Sequence, residues 1–243
     1  MAWTGLTSFE TTDGSTTPTD GNDIQGTGDG TGWSGNWTAS NDGGYLDYDN
    51  GQANDGTWSF VLDTYTAHVN KQPRIYRDLT TGVTAGHIAF DIRCNVDDRD
   101  TPVIRLRSGS GNNIPIEFVQ TSTGTGRTLK CCGTSFGNLI AVDTWYKIGV
   151  DFDCATDTLD FYLDDVKQNG SAVSFTAAAS SIDRFWVENN AASGYSSTLG
   201  NMFWIDNIRA GEAAASGIKS IAEIAQADIK NSADIKSMAG LTN

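Results

Sequence analysis

Residues Asp143 to Val166 read DTWYKIGVDFDCATDTLDFYLDDV, and this stretch decides the fold. In its first arm Tyr146, Ile148, Val150 and Phe152 fall on one side of an extended chain, with Lys147, Gly149, Asp151 and Asp153 on the other. That period of two is the pattern of a half-buried strand. The second arm repeats it: Leu159, Phe161 and Leu163 oppose Asp160, Tyr162 and Asp164, and Ala155-Thr156-Asp157 turns the chain between the arms. The segment reads as an antiparallel hairpin with one buried face.

Outward from the hairpin, strand signals recur at short intervals separated by glycine-rich turns. They cover Trp58 to Leu62, Arg74 to Asp78, His87 to Cys94, Val103 to Arg107, Ile114 to Gln120, Arg127 to Cys132, Ser171 to Phe175, Asp183 to Glu188 and Asn201 to Arg209. About a dozen short strands suit a two-sheet sandwich. Thr144-Trp145-Tyr146, the turn, and Phe161-Tyr162-Leu163-Asp164-Asp165 resemble the hairpin of laminin-G-like and concanavalin A-like jelly rolls, with Asp165 where that family places glycine. The run Gly30 to Thr38 after Ser8-Phe9-Glu10 resembles the opening of bacterial and phage lectin-like jelly rolls. Met202 to Ile208 resembles their closing strand, which pairs near the first. The resemblance implies an all-β, two-sheet antiparallel jelly roll of concanavalin A-like type over residues 1–211, followed by a short, partly helical C-terminal tail over residues 212–243.

At 243 residues the chain can bury a normal core without cross-links. Cys94, Cys131, Cys132 and Cys154 show no zinc spacing and are expected as buried free thiols. With only His68 and His87 present, a multi-histidine metal site or a Ser-His-Asp relay has little material. The N-terminus lacks the basic and apolar regions of a signal peptide, and no segment has the length of a transmembrane helix. The expectation is a chain without a signal, placed on a virion or extracellular surface, with no membrane insertion.

Net charge is −14, and Glu10, Asp13, Asp20, Asp23, Asp29, Asp42, Asp47, Asp49, Asp55 and Asp63 precede the first basic residue, Lys71. Such an end repels nucleic acid and supplies oxygen ligands for cations. In the jelly-roll carbohydrate-binding modules that the sequence resembles, a Glu after the first strand and an Asp in the closing strand hold a structural Ca²⁺. Glu10 and Asp206 match those positions, and the resemblance implies the ion there. The alternative reading makes both ordinary edge-strand acids.

Asp13 to Gly56 reads as long loops with short extended pieces, and its Trp33, Trp37, Tyr45 and Tyr48 argue against full disorder. Sugar recognition needs flat apolar faces beside amides. Trp33, Trp37 and Tyr195 lie in glycine-rich stretches and are the ring candidates, with Asn189 and Asn190 as polar partners. After Gly211 the composition turns to Ala, Ile, Lys and Ser. Ile218-Lys219-Ser220-Ile221-Ala222 is echoed by Ile235-Lys236-Ser237-Met238-Ala239, and the apolar positions Ile218, Ile221, Ile224, Ile229, Ile235, Met238 and Leu241 read as an assembly tail. The tail would oligomerise the chain, dock on an assembly partner, or pack back on its own sandwich.

Enzymes on concanavalin-like folds carry an E-x-D-x-x-E strand whose two working carboxylates stand about 5 Å apart in the retaining mechanism. No such strand is present, and the Arg-rich, Gln-x-His and Tyr-containing strands of alginate-lyase relatives are also missing. The sequence therefore leads to a non-catalytic virion or cell-surface structural and adhesion protein, not an enzyme, with a lectin-like jelly roll displayed outward. The alternatives are a carbohydrate-binding module acting on polysaccharide and, more weakly, a divergent glycan-cleaving enzyme.

Overall fold

The structure is a computed structural model, and it describes residues 5–7, 23–28, 30–40, 45–63, 73–95, 101–120, 126–190 and 202–211. These residues form sixteen strands and no helix. They are β1 Gly5–Thr7, β2 Trp33–Ser40, β3 Tyr45–Asp49, β4 Ser59–Asp63, β5 Arg74–Val83, β6 Ala85–Cys94, β7 Thr101–Arg107 and β8 Ile114–Gln120. Then come β9 Arg127–Cys131, β10 Thr134–Ile140, β11 Trp145–Asp153, β12 Thr158–Leu163, β13 Val166–Lys167, β14 Val173–Ser174, β15 Ile182–Asn190 and β16 Met202–Gly211. The tail, including the seven apolar positions from Ile218 to Leu241, lies outside the described residues, as do Glu10 and Tyr195.

Two antiparallel sheets stack face to face, which makes the all-β jelly-roll sandwich. One runs β13-β12-β11-β6-β16-β4-β3, with β1 on β16 and β14 on β12; the other runs β10-β9-β8-β7-β15-β5-β2. Alternation along each strand builds the core between them. Ile148, Val150, Phe152, Leu159, Phe161 and Leu163 of the hairpin all point inward and are buried, as their spacing predicts. They meet Ile104, Leu106, Ile116, Phe118 and Phe185 from the seven-stranded sheet. Phe185 is fully buried and packs edge-on against Phe90, 5.7 Å away, and Trp33, 6.2 Å away.

The hairpin also explains Asp165, the residue that departs from the glycine of the pattern it resembles. Leu163 pairs with Val166, so Asp164 and Asp165 form a two-residue loop with φ of 50° and 64°. A loop of that kind needs left-handed residues, and aspartate tolerates the region better than most side chains. Asp164 also accepts a hydrogen bond from the Lys147 backbone N–H at 2.9 Å. Gly149 is held small for a different reason: a Cβ there would lie 3.2 Å from the His87 ring and 3.3 Å from the Tyr162 Cβ. His87 fills that notch because its Nδ1 is tied to Asp151 at 2.5 Å.

Beyond the two-residue β13, two longer strands were not expected. The stretch read as loop around Trp33 and Trp37 is β2, irregular at Gly35, whose φ is 68°, where its pairing with β5 shifts between Ser34 and Thr38. Thr134–Ile140 is β10, joined to β9 through Cys132 and Gly133, both at positive φ. All four cysteines are free thiols; Cys94, Cys131 and Cys154 are buried, whereas Cys132 is half-buried.

Candidate functional site

The outward positions of the seven-stranded sheet carry a cluster that no single strand reveals. From β5 come Arg74, Tyr76 and Asp78; from β15, Arg184, Trp186, Glu188 and Asn190; from β7, Arg105 and Arg107; from β8, Glu117; and from β9, Lys130. Pairing sets these into rows across the sheet. Asp78, Arg184 and Arg107 form one row, Tyr76, Trp186 and Arg105 the next, and Arg74, Glu188, Val103, Glu117 and Lys130 the third.

Rings and guanidinium groups are stacked within this cluster. Tyr76 and Trp186 lie 5.3 Å apart and almost parallel, at 6°. The Arg184 guanidinium sits 4.0 Å from the Tyr76 ring centre and that of Arg107 4.5 Å from the Trp186 ring centre. Each ring thus has a cation and its neighbour against it, an arrangement favoured by the negative ring faces.

The carboxylates are tied to the arginines. Arg184 donates to both oxygens of Asp78, at 2.5 and 3.0 Å. Glu188 pairs with Arg105 through one oxygen; its other oxygen accepts from Trp186 Nε1 at 2.8 Å and lies 3.6 Å from Arg74 Nε. Burial pushes the Glu188 carboxyl up, but hydrogen bonding and charge from Arg105, with further bonds from Trp186 and Asn190, hold it below the usual glutamate value. Arg107 differs from its neighbours. It donates to the carbonyls of Ser110 and Gly111, and among the described residues it has no carboxylate partner. Burial and then repulsion from Arg105 and Arg184 lower its affinity for its own proton.

The sugar-binding residues expected from sequence fare differently from one another. Trp33 and Trp37 are corrected: they sit on β2 with rings in the core, 9% and 1% exposed, packed 6.1 Å apart with the Arg77 guanidinium over both. Neither has a face to offer a sugar. Asn189 points inward and is buried. Asn190 joins the cluster through its bond to Glu188.

Asp206 lies on the outer side of the other sheet, opposite Asp91 on β6. It accepts backbone N–H bonds from Asn54, Asp55 and Asn207, while Asp91 accepts from Asn54, Asn207 and Arg209 side chains. These contacts are all N–H donors, which compete for the oxygens a Ca²⁺ would use. Among the described residues no group of three or more His, Cys, Asp or Glu could hold a metal ion. Within the described residues Asp206 caps the loop at Asn54 and Asp55, and Glu10, the other half of the expected Ca²⁺ pair, lies outside them.

Burial pushes Asp206 up to about 6 from the ordinary 3.8, against the pull of its three N–H donors and with Asp91 adding to the rise. Between those values the native state binds more protons than the unfolded chain, so this group makes stability fall as pH rises through the interval. Asp206→Asn is expected to flatten that fall, read as urea midpoints at about pH 4 and about pH 7 in variant and parent.

No protein-family model matches the sequence, and no curated protein matches it. Solved structures do match in fold. The catalytic domain of a glycoside hydrolase family 131 protein from Coprinopsis cinerea superposes with a TM-score of 0.55 at 12% identity, over 74% of this chain and 85% of that one. A structure described under endo-acting O-glycanases of the human gut microbiota gives 0.55 at 11%, over 86% and 98%. A sialidase gives 0.52 at 12% over 73% of this chain, which spans 17% of the sialidase's length. At these identities the likeness establishes the sandwich.

These matches correct the functional expectations. The expectation of a non-catalytic virion or cell-surface protein is corrected by these fold matches, several of which are described as glycoside hydrolases or glycanases. The exclusion of an enzyme falls with it. That exclusion rested on strand motifs sought one strand at a time, and it did not weigh the arginines and carboxylates that β5, β15 and β7 bring side by side.

Proposed function

We propose that this chain is a carbohydrate-active β-sandwich that takes a polysaccharide across the outer face of its seven-stranded sheet and cleaves it there. The observation that carries this reading is the row in which Glu188 and Glu117 flank Val103 beneath a group of arginines. Two strand spacings separate their backbones by roughly 9.6 Å. Carboxylates in inverting glycosidases stand roughly 6.5–9.5 Å apart, so side chains leaning together reach the working range. Glu188, held ionised by Arg105, suits a base; Glu117, with no ion-pair partner among the described residues, is the proton donor in this scheme. The similarity in fold to catalytic domains of glycoside hydrolases supports the same reading.

Glu117→Gln tests it, because Glu117 is half-buried on the surface of the sheet and its loss leaves the core intact. The parent protein should release new reducing ends from a polysaccharide panel, and the variant should lose about a hundredfold or more of that rate while still binding. Release at an unchanged rate in the variant would remove Glu117 from the chemistry.

A second reading has its own support. Glu188 is engaged by Arg105, Arg74, Trp186 and Asn190, an arrangement that serves a rigid binding surface as well as a reacting one. On that reading the chain is a carbohydrate-binding module, and the same panel would show binding without new reducing ends.

A further inference from the structure

We infer that the glycan received on this face is anionic, and that Arg107 receives its charged group. The inference rests on the glycan-acting reading above and adds the substrate's chemical class. Its first support is where the charges lie. The chain carries 16 Lys and Arg against 30 Asp and Glu, yet Arg74, Arg105, Arg107, Arg184 and Lys130 converge on the outward positions of four strands of one sheet, β5, β15, β7 and β9. Only Asp78, Glu117 and Glu188 oppose them in the rows described above. In a protein of net charge −14, a cationic patch of this size repels nothing acidic and has no reason to form for solubility.

The rings argue in the same direction. A neutral sugar is held by an open aromatic face against a pyranose ring. Tyr76 and Trp186 are stacked on one another and covered by Arg184 and Arg107, so what they add is support for guanidinium groups rather than a bare platform.

Of the four arginines in the group, Arg107 is the one that no described carboxylate engages. Arg184 is committed to Asp78, and Arg74 and Arg105 share Glu188. Arg107 instead is held from behind by two loop carbonyls, through Nε and Nη2, and from one side by Trp186. This fixes the plane of its guanidinium and leaves further N–H donors for an oxyanion, the fork geometry that carboxylate and sulfate both match. Arg105 and Arg184 on either side raise the local positive potential, and an arriving anion relieves their mutual repulsion.

Carboxylate and sulfate esters on sugars share this chemistry, and the test separates them. Binding of the full chain is measured by calorimetry to polygalacturonate, to dextran sulfate, to unmodified dextran and to a single-stranded oligonucleotide, each at low and high salt. The expected result is binding to one or both acidic polysaccharides that weakens with salt and is lost by about tenfold or more in Arg107→Gln. Arg107→Lys, which keeps the charge and loses the fork, should fall between the two and serves as the deciding variant if Arg107→Gln does not fold. Preference for polygalacturonate assigns a carboxylate, and preference for dextran sulfate assigns a sulfate. Binding of dextran alone, or acidic binding unchanged in both Arg107 variants, overturns the anionic class and leaves the glycan reading standing. An oligonucleotide bound as tightly as either polysaccharide overturns the selection of a glycan anion. Binding of none of the four overturns both this inference and the reading on which it rests.

Discussion

Phe185→Ala is expected to destabilise the sandwich by about 3–5 kcal/mol, the usual cost of truncating a fully buried phenylalanine. The ring stands where the two sheets meet, edge-on to Phe90 of one sheet and Trp33 of the other, so its removal leaves a cavity that neither sheet can close by shifting alone. For a domain of this size each kcal/mol corresponds to roughly 2–4 °C, and a fall of about 10 °C or more in melting temperature is the expected reading. A shift of only about 2 °C would mean that the sheets can slide together to fill the space. Phe185→Leu, which keeps most of the volume, should lose far less.

Glu188→Ala should cost nearly as much, for an electrostatic reason. Glu188 is buried and is the common partner of Arg74, Arg105 and Trp186 Nε1. Removing one member of a buried ion pair leaves uncompensated charge and costs about 3–5 kcal/mol. Glu188→Gln retains an acceptor oxygen and should lose less. The sign of the pH dependence follows from the depressed carboxyl of Glu188: its contribution is present above the unfolded glutamate value and disappears as pH falls through the lower native one. Urea midpoints of parent and Glu188→Gln should therefore differ most near neutral pH and converge in acid. An equal gap at every pH would show that lost packing, not lost charge, sets the cost.

Much of the architecture was legible because strand alternation is a local property. Ile148, Val150 and Phe152 declare their face within a few residues, and β8 was read at its observed bounds from Ile114 to Gln120. β2 and β10 were missed because Gly35 and Gly137 interrupt alternation with positive φ, so loop-like composition concealed paired strands. The same composition made Trp33 and Trp37 look exposed, although their rings lie against Arg77 inside the sandwich.

The candidate site was illegible for a different reason. Arg74-x-Tyr76-x-Asp78, Arg105-x-Arg107 and Arg184-x-Trp186-x-Glu188 are each visible as the polar side of a strand, and each alone looks like an ordinary solvated face. Their meaning depends on β15 lying between β5 and β7, and residues far apart in sequence become neighbours only through that order. A search for carboxylates along one strand cannot detect a group assembled across three. The available signal was arginine recurring at alternate positions in several strands of an acidic protein.

The strand order also bears on how the chain reaches this state. β15 and β16 are the last two described strands in sequence, yet each occupies an interior place: β15 joins β5 to β7, and β16 joins β6 to β4 while also receiving β1. During synthesis the earlier strands can gather only as separate hairpins and ribbons, each with an unpaired edge, until residues 182–211 emerge from the ribosome. Folding is then committed late and through contacts distant in sequence, the condition that makes β-sandwiches slow to fold and exposed to aggregation. A nascent chain stalled before Met202 would have both wings of the larger sheet and nothing to join them.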